Sequence, residues 1–471
     1  MKNYLRNLAL LMAIGLALAL PAGAQQLAVQ QEVVQVDVMW VDYDEADISE
    51  PAGRDSGYYY DFIDGTIIQQ VKQGFDFPRI ARKVLGRSKE ALNVNAVDAV
   101  PDSSWFTNRN GMLPMSLYEI RRGPNQDEGP VGESFTVLRA KTVGITPGLW
   151  IRDEQGSTYI LKFDPPDYPE LATAAEVIST KLFYAIGYNV PQNTIFRFRR
   201  SQLQIGDGAT YKDNAGREQA LTPAVLEELL ARVAQEKSGR YRVVASKLLP
   251  GKPKGGFKFA GVREDDPNDI IPHEHRRDVR GLRVFSAWLE HNDIRVGNTL
   301  DMYVEEHGRR FLRHYLIDFG STLGSDTLFP NRPEVGHEHQ FDMKQAGTTL
   351  LTLGLRQPAW TEPEPIRFAS VGRYSAEDFD PRRWKSNFPL VAFENMTEAD
   401  ARWAAEIVGS FTDEQIRAAV ETGEISEPAA EDYLVKQLIG RRDRIVDAYL
   451  DRSVADRTRV ASNIVKPALR K

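Results

Sequence analysis

A lysine in apolar company constrains this fold more than any other feature of the chain. Lys162 lies inside the run Tyr159-Ile160-Leu161-Lys162-Phe163. With residues 149–152 and the turn Asp153-Glu154-Gln155-Gly156 before it, the run is expected as one arm of a β-hairpin. A buried ammonium group is costly unless a carboxylate meets it, and that carboxylate has to come from another element. Residues 171–186 read as a helix, with Ile178, Leu182 and Ala185 on one face and Gly187 as its C-cap. Glu176 stands on this helix fourteen residues after Lys162, and Glu170 is also available. The hairpin is therefore expected to pack against the helix that follows it.

Residues 134–143, 194–198 and 241–249 add strand-like runs around this pair. Thr222-Pro223 opens a helix to about residue 234, since threonine caps free amides and proline suits a first turn. Residues 134–249 thus predict a mostly antiparallel sheet with one main helix and one inserted helix. After Gly251 the pattern turns helical, at 278–290 with Leu282, Phe285, Trp288 and Leu289 apolar. Two short strands are expected near 301–304 and 311–317, and a capping box at Thr412-Asp413-Glu414-Gln415 opens a helix ending at Gly423. A long helix should run from Pro428 to about 451. Upstream, 33–41 reads as a strand and 66–85 as a helix interrupted by Pro78.

A second cluster carries chemistry. His291-Asn292-Asp293-Ile294-Arg295-Val296-Gly297-Asn298 follows a helix and precedes a hairpin, and Asp318-Phe319-Gly320 comes twenty residues after Asn298 at the end of a strand. A loop acid, an amide five residues on and a second acid at a strand end offer hard oxygen ligands for a partly filled shell. Mg²⁺ favours such a shell, because it keeps waters and takes further oxygens from nucleotide phosphates. The remaining carboxylate, Asp293, can orient or deprotonate a hydroxyl.

Lysine on a strand, glutamate on the next helix, then Asp-x₄-Asn and Asp-Phe-Gly is the order found in protein kinases. The chain resembles the protein-kinase-like superfamily in its atypical branch over about residues 144–324. Leu316-Ile317-Asp318-Phe319-Gly320-Ser321-Thr322-Leu323-Gly324 is similar to the metal-binding segment of phosphatidylinositol 3/4-kinases. Ala175-Glu176 through Gly187-Tyr188-Asn189-Val190-Pro191 resembles the corresponding helix and turn of bacterial persistence-toxin and spore-coat kinases. The resemblance implies an α+β fold with a bilobal kinase-like core. The antiparallel-sheet small lobe would span 133–250 and the mainly helical large lobe 251–350. An N-terminal extension (25–132) and a helical C-terminal extension (351–471) would flank them. It implies that Lys162 holds nucleotide phosphates, Glu176 holds Lys162, and Asn298 and Asp318 ligate Mg²⁺. Asp293 would be the catalytic acid–base residue, with His291 bracing its loop and Arg295 offsetting charge near the transferred phosphate. Gly144 and Gly148 would line the phosphate loop, although a plain β-turn fits them equally. The sequence has no Gly-x-Gly-x-x-Gly, reads His-Asn-Asp where His-Arg-Asp is usual, and has no Ala-Pro-Glu after Asp318.

Residues 1–24 read as an export signal: Lys2 and Arg6, an apolar run over 8–20, then Ala22-Gly23-Ala24 as a small-x-small cleavage pattern. A membrane anchor is the alternative, although a spanning helix needs about 20 apolar residues. The mature chain is expected to be periplasmic or extracellular, without a transmembrane segment. With no cysteine, core burial rather than disulfides must supply its stability. A net charge of −7 with dispersed basic residues argues against nucleic acid as a main partner. The expected partners are ATP and Mg²⁺ with an acceptor that is protein, lipid, sugar or small molecule. Nucleotidyl transfer by the same residues, and a kinase-like scaffold without catalysis, remain open. His273-Glu274-His275 and His337-Glu338-His339 would offer a zinc site if each pair shared a strand face. Neither Gly-x-Ser-x-Gly nor His-Glu-x-x-His occurs, which argues against an envelope hydrolase.

Overall fold

Alternation builds the small lobe. Leu149 and Ile151, then Tyr159, Leu161 and Phe163, send every second side chain to one face. The computed structural model of the protein describes residues 38–54, 89–141, 147–213, 215–340 and 365–450. All but residues 38 and 39 of these belong to one compact unit. The expected signal peptide, the helix at 66–85 and most of the strand at 33–41 lie outside the described residues. Of that strand, Val41 bridges Asp102.

A short helix, α1 (Leu117–Arg122), precedes the sheet strands β1 (Phe135–Lys141), β2 (Gly148–Arg152) and β3 (Thr158–Phe163). Helix α2 (Leu171–Ile186) follows, then β4 (Asn193–Arg199), β5 (Leu203–Lys212), β6 (Glu218–Ala220), α3 (Pro223–Leu230) and β7 (Arg240–Lys247). Among the described residues the strands form a seven-stranded sheet in the order β4-β7-β3-β2-β1-β5-β6. Each pairing is antiparallel except β1 with β5. One face packs Val137, Leu149, Ile151, Leu161 and Phe163 against Leu226, Leu229 and Leu230 of α3. Helix α3 stops at Leu230 rather than near 234, because the chain turns back so that the Ala234 N–H reaches the Asp164 carbonyl at 3.0 Å. Strands β5 and β6 lie outside the sequence expectation. Strand β5 carries two glycines and only two buried residues, and the edge strand β6 is exposed throughout, so neither shows apolar alternation.

The large lobe contains β8 (Lys252–Pro253), α4 (Arg277–Leu289), β9 (Thr299–Glu306) and β10 (Arg309–Leu316). The segment expected as a helical C-terminal extension carries α5 (Val391–Glu394), α6 (Glu398–Gly409), α7 (Asp413–Glu421) and α8 (Pro428–Tyr449). Strands β9 and β10 pair antiparallel from Thr299↔Leu316 to Glu306↔Arg309. Capping boxes start α6 at Thr397/Asp400 and α7 at Thr412/Gln415. The first of these went unread in the sequence because Asp400 takes the place usually held by Glu or Gln. The chain is thus α+β, with a sheet-rich part over β1–β7 and a mainly helical part after it. No helix among the described residues is long and apolar enough to cross a membrane.

Helix α2 serves both lobes. Every residue of it except Tyr184 is buried, the polar Thr173, Glu176, Ser179, Thr180 and Lys181 included. Val177 packs with Ile195 and Val244 of the sheet. Ile178, Leu182 and Phe183 join Leu282, Phe285 and Trp288 of α4, and Trp403, Ile416 and Leu438 of the C-terminal helices. Its end is set by Gly187 at φ 143°, where a Cβ would come within 2.3 Å of the Phe106 ring and 2.7 Å of the Thr107 carbonyl. Gly187→Ala should therefore destabilise the protein by about 2–4 kcal/mol. Chemical denaturation followed by far-UV circular dichroism would measure it.

The upstream segment is tied to the β9–β10 hairpin. Asp44 accepts hydrogen bonds from the Ser104 N–H and hydroxyl (3.1 and 2.7 Å), and the Ile48 N–H reaches the Arg310 carbonyl at 2.8 Å. Trp105 stacks on His314 with centroids 3.7 Å apart.

Candidate active site

Two neighbouring contacts register the sheet on α2. Lys162 and Asp164 are two apart at the end of β3, and Thr173 and Glu176 are three apart on α2, so each pair shares a face. Asp164 caps the start of α2 from outside, accepting from the N–H groups of Glu170 (2.9 Å), Ala172 (3.0 Å) and Thr173 (2.9 Å). This is needed because Glu170, the residue before the helix, sits at φ 70° and makes no cap of its own. Arg242 of β7 pairs with Asp164 at 3.2 Å, both buried. With that register set, Glu176 Oε1 meets Lys162 Nζ at 2.9 Å. Glu170 instead accepts from the Ser426 N–H at 2.9 Å, which settles the choice between the two glutamates. Asp164→Ala should cost about 3–5 kcal/mol, because Arg242 would stay buried without its carboxylate. Urea unfolding would read that loss.

The third charge arrives from the end of β10. Asp318 Oδ1 lies 3.0 Å from Lys162 Nζ. Asp318 adopts φ 64°, a left-handed conformation that aspartate tolerates better than most residues. The next residue fixes it: Phe319 is fully buried and stacks on Phe183 of α2, centroids 5.0 Å apart. The Thr322 hydroxyl adds a 2.7 Å contact to Ser179 on the same helix. His291 packs edge-on against Phe183 and tilted against Phe319, at 5.8 and 5.6 Å. Phe183 therefore receives both the Asp318 loop and the loop that begins at His291.

The second loop is closed by Asn298. Its Nδ2 donates to the Asp293 carbonyl (2.7 Å) and to Asp293 Oδ2 (3.0 Å). Arg295 Nε pairs with Asp293 Oδ1 at 3.1 Å. The Ile317 N–H bonds to the Asn298 carbonyl at 3.0 Å, joining this loop to the strand that delivers Asp318.

The charges adjust to these surroundings. Burial works against the Lys162 ammonium, yet Asp318 and Glu176 outweigh it and raise its pKa. Lys162 holds the Asp318 carboxyl below its usual range, whereas burial pushes Glu176 up despite Lys162. Asp293 is pushed up to about 6 by burial, with Arg295 and Asn298 opposing and Asp318 and Asp326 adding to it. Its side chain is still 24% exposed, so it is set among protein atoms but open to a reactant. Burial depresses His291 to about 4, so the imidazole is neutral at neutral pH.

Lys162, Glu176 and Asp318 line an open cleft of about 130 Å³, smaller than the roughly 300–1,000 Å³ of drug-sized sites. Gly148 also lines it, but as the first residue of β2 paired with Lys162 rather than in a turn. A Cβ there would stand 3.2 Å from the Leu161 carbonyl. Gly144 lies outside the described residues. Asp293, Arg295, Asn298 and His291 are not among the residues that line this cleft; their loop is linked to Asp318 through the Ile317–Asn298 hydrogen bond and the packing of His291 on Phe319. Lys141, Trp150 and Thr327 line the cleft without having been singled out in the sequence. The β2 alternation could have found Trp150, which shares a face with Gly148. Thr327 had no signal, because it arrives on an irregular loop. Asn193 was also missed; its amide donates to Glu176 Oε1 at 3.1 Å.

The paired histidines do not make a zinc site. His273–His275 is a 3₁₀ turn rather than a strand, and His273 Nε2 lies 2.7 Å from Asp269 Oδ2. Among the described residues no three His, Cys, Asp or Glu side chains converge as a metal cage. On α8, Arg441 is buried, ion-paired 3.5 Å from Glu290 and stacked over Phe379.

No protein-family model matches the chain, and no curated protein matches it significantly. Among solved structures, the crystal structure of the Golgi casein kinase is similar over 88% of this chain and 96% of that one, at 9% identity and a TM-score of 0.36. A likeness this slight carries no argument, and any reading of the site has to stand on its own geometry.

Proposed function

We infer that this chain is a kinase-like phosphotransferase that uses ATP and Mg²⁺ on an unidentified hydroxyl acceptor, outside the cytoplasm as residues 1–24 lead one to expect. One observation carries the reading: the Lys162 ammonium is held between Glu176 and Asp318, beside the loop that joins Asp293 to Asn298. A cation braced by a buried carboxylate suits phosphate oxygens. The donor set fits Mg²⁺ as well. The Asn298 amide nitrogen is spent on Asp293, which leaves its carbonyl oxygen as the ligand. Only one oxygen of Asp318 faces Lys162. Asn298 and Asp318 would hold the ion, whose chemistry is to neutralise charge on the transferring phosphoryl group. Mg²⁺ sites commonly take few protein ligands and complete their shell with phosphates and water.

In this reading Asp293, ionised at neutral pH, accepts the proton of the acceptor hydroxyl as its oxygen bonds to the γ-phosphorus. The bond from that phosphorus to the β-phosphate oxygen breaks, and ADP leaves with the electron pair. Arg295 keeps Asp293 ionised and in place.

The test uses purified full-length protein. ATP with Mg²⁺ should raise the melting temperature, by the equivalent of about 2.7 kcal/mol at a hundredfold excess over Kd, and ATP with EDTA should not. ADP release should require Mg²⁺. An unchanged melting temperature with the pair would count decisively against the reading and favour a non-catalytic scaffold.

A further inference from the structure

Two aromatic side chains line the cleft, Trp150 and Phe163, and Phe163 is spent in the core of the sheet. Trp150 sits on the cleft face of β2, between buried Leu149 and Ile151 that point into the opposite core. Its neighbours across the sheet are Arg139 on β1 and Ile160 on β3. Arg139 lies 5.5 Å from the ring centroid, a loose contact and the one ring interaction Trp150 makes among the described residues. A half-buried tryptophan in a cleft, with little packed against it, is a surface suited to another flat ring. The spacing suits a nucleotide: Ile160 and Lys162 are neighbours on one face of β3, so Trp150 is the diagonal neighbour of Lys162, about 7–8 Å away along the sheet. A phosphate on Lys162 therefore leaves a base within reach of the indole.

Apart from the exposed Lys141, the polar side chains that line the cleft are engaged with protein partners. Lys162, Glu176 and Asp318 bind one another, and Thr173 bonds to Asp164. The apolar lining of the cleft includes Pro147, Ile160 and Val244, and the donor next to Trp150 is the Arg139 guanidinium, a charge that favours the ring faces and acceptors of adenine and guanine alike. Resting on the phosphotransfer reading above, we propose that Trp150 is a stacking platform that selects a purine nucleoside triphosphate over a bare polyphosphate and accepts adenine and guanine alike. Base–aromatic stacking tolerates base identity because each base has a π-face.

The experiment is calorimetric titration of the full chain with Mg²⁺ and ATP, GTP or inorganic tripolyphosphate, using wild type, Trp150→Phe and Trp150→Ala. For wild type, ATP and GTP are expected to bind within about threefold of each other, and tripolyphosphate about ten- to a hundredfold more weakly. Trp150→Ala should bring both nucleotides down to the tripolyphosphate level, while Trp150→Phe keeps most of the affinity. Trp150→Ala binding ATP as wild type does would overturn the proposal, as would more than tenfold discrimination between ATP and GTP. Tripolyphosphate binding with no gain from a base would overturn it too, yet leave the phosphate site standing. If neither nucleotides nor tripolyphosphate bind, the phosphotransfer reading fails and this proposal with it.

Discussion

Asp318→Asn should lower Mg²⁺-dependent phosphotransfer at least about a thousandfold while leaving the fold intact. The substitution removes one negative charge and keeps the shape. Asparagine tolerates the left-handed backbone at φ 64°, so the loop need not move. Phe319 and Thr322 still anchor it to α2. Lys162 keeps Glu176 at 2.9 Å, so its ammonium is not stranded. Lost are a metal ligand and a charge that counts most in the transition state, where groups aimed at developing charge are worth about 3–4 kcal/mol or more each. Turnover of ATP and the Mg²⁺-dependent rise in melting temperature are the two readouts, and both should disappear. Equal turnover by the variant and wild type would remove Asp318 from the site.

Asp293→Asn should slow transfer about 10²–10⁴-fold and yet stabilise the protein at pH 7.5. Burial is the main reason Asp293 is pushed up to about 6 from an ordinary 3.8. The folded protein therefore holds this proton more tightly than the unfolded chain, and stability falls as pH rises from about 4 to 6. His291 acts in the opposite direction. Burial lowers it to about 4 from 6.5, so the unfolded chain takes up its proton first and stability rises with pH between about 4 and 6.5. In wild type the two dependences offset. Asn at 293 deletes the first and leaves the second, so the variant should gain stability with pH across that window. It should exceed wild type by about 1–3 kcal/mol at pH 7.5. Loss of the base should cost about 10²–10⁴ in turnover. Denaturation at pH 4, 5, 6 and 7.5 with both proteins checks the slope. Matching profiles would mean that Asp293 carries no desolvated charge. In wild type, turnover should fall below about pH 6, as Asp293 takes up its proton.

Local pattern picked out many of the strands and most of the side chains that the fold gathers at the candidate site. Hairpin β2–β3, α2 and the pairing β9–β10 follow from alternation, helical periodicity and turn residues within each segment. Lys162 advertised a partner because its neighbours in β3 are apolar. The misses share a cause, which is that their shape comes from outside the segment. Strand β5 is ordered by pairing parallel to β1, not by its own alternation. Helix α3 ends early because the chain folds back to Asp164. The His273–His275 pair reads as a metal face only if it is a strand, and its contacts to Lys258 and Asp269 hold it in a turn instead.

The sequence by itself determined the residue types of the site, their order along the chain and the need of Lys162 for a buried carboxylate. Those follow from short-range periodicity and from the cost of an unpaired charge. Only the tertiary structure decided which glutamate answers, since that depends on how Asp164 registers α2 against β3. It also decided that Asp293 holds its proton near pH 6 and that His291 stays neutral, because desolvation is set by what packs around a group and not by its neighbours in sequence.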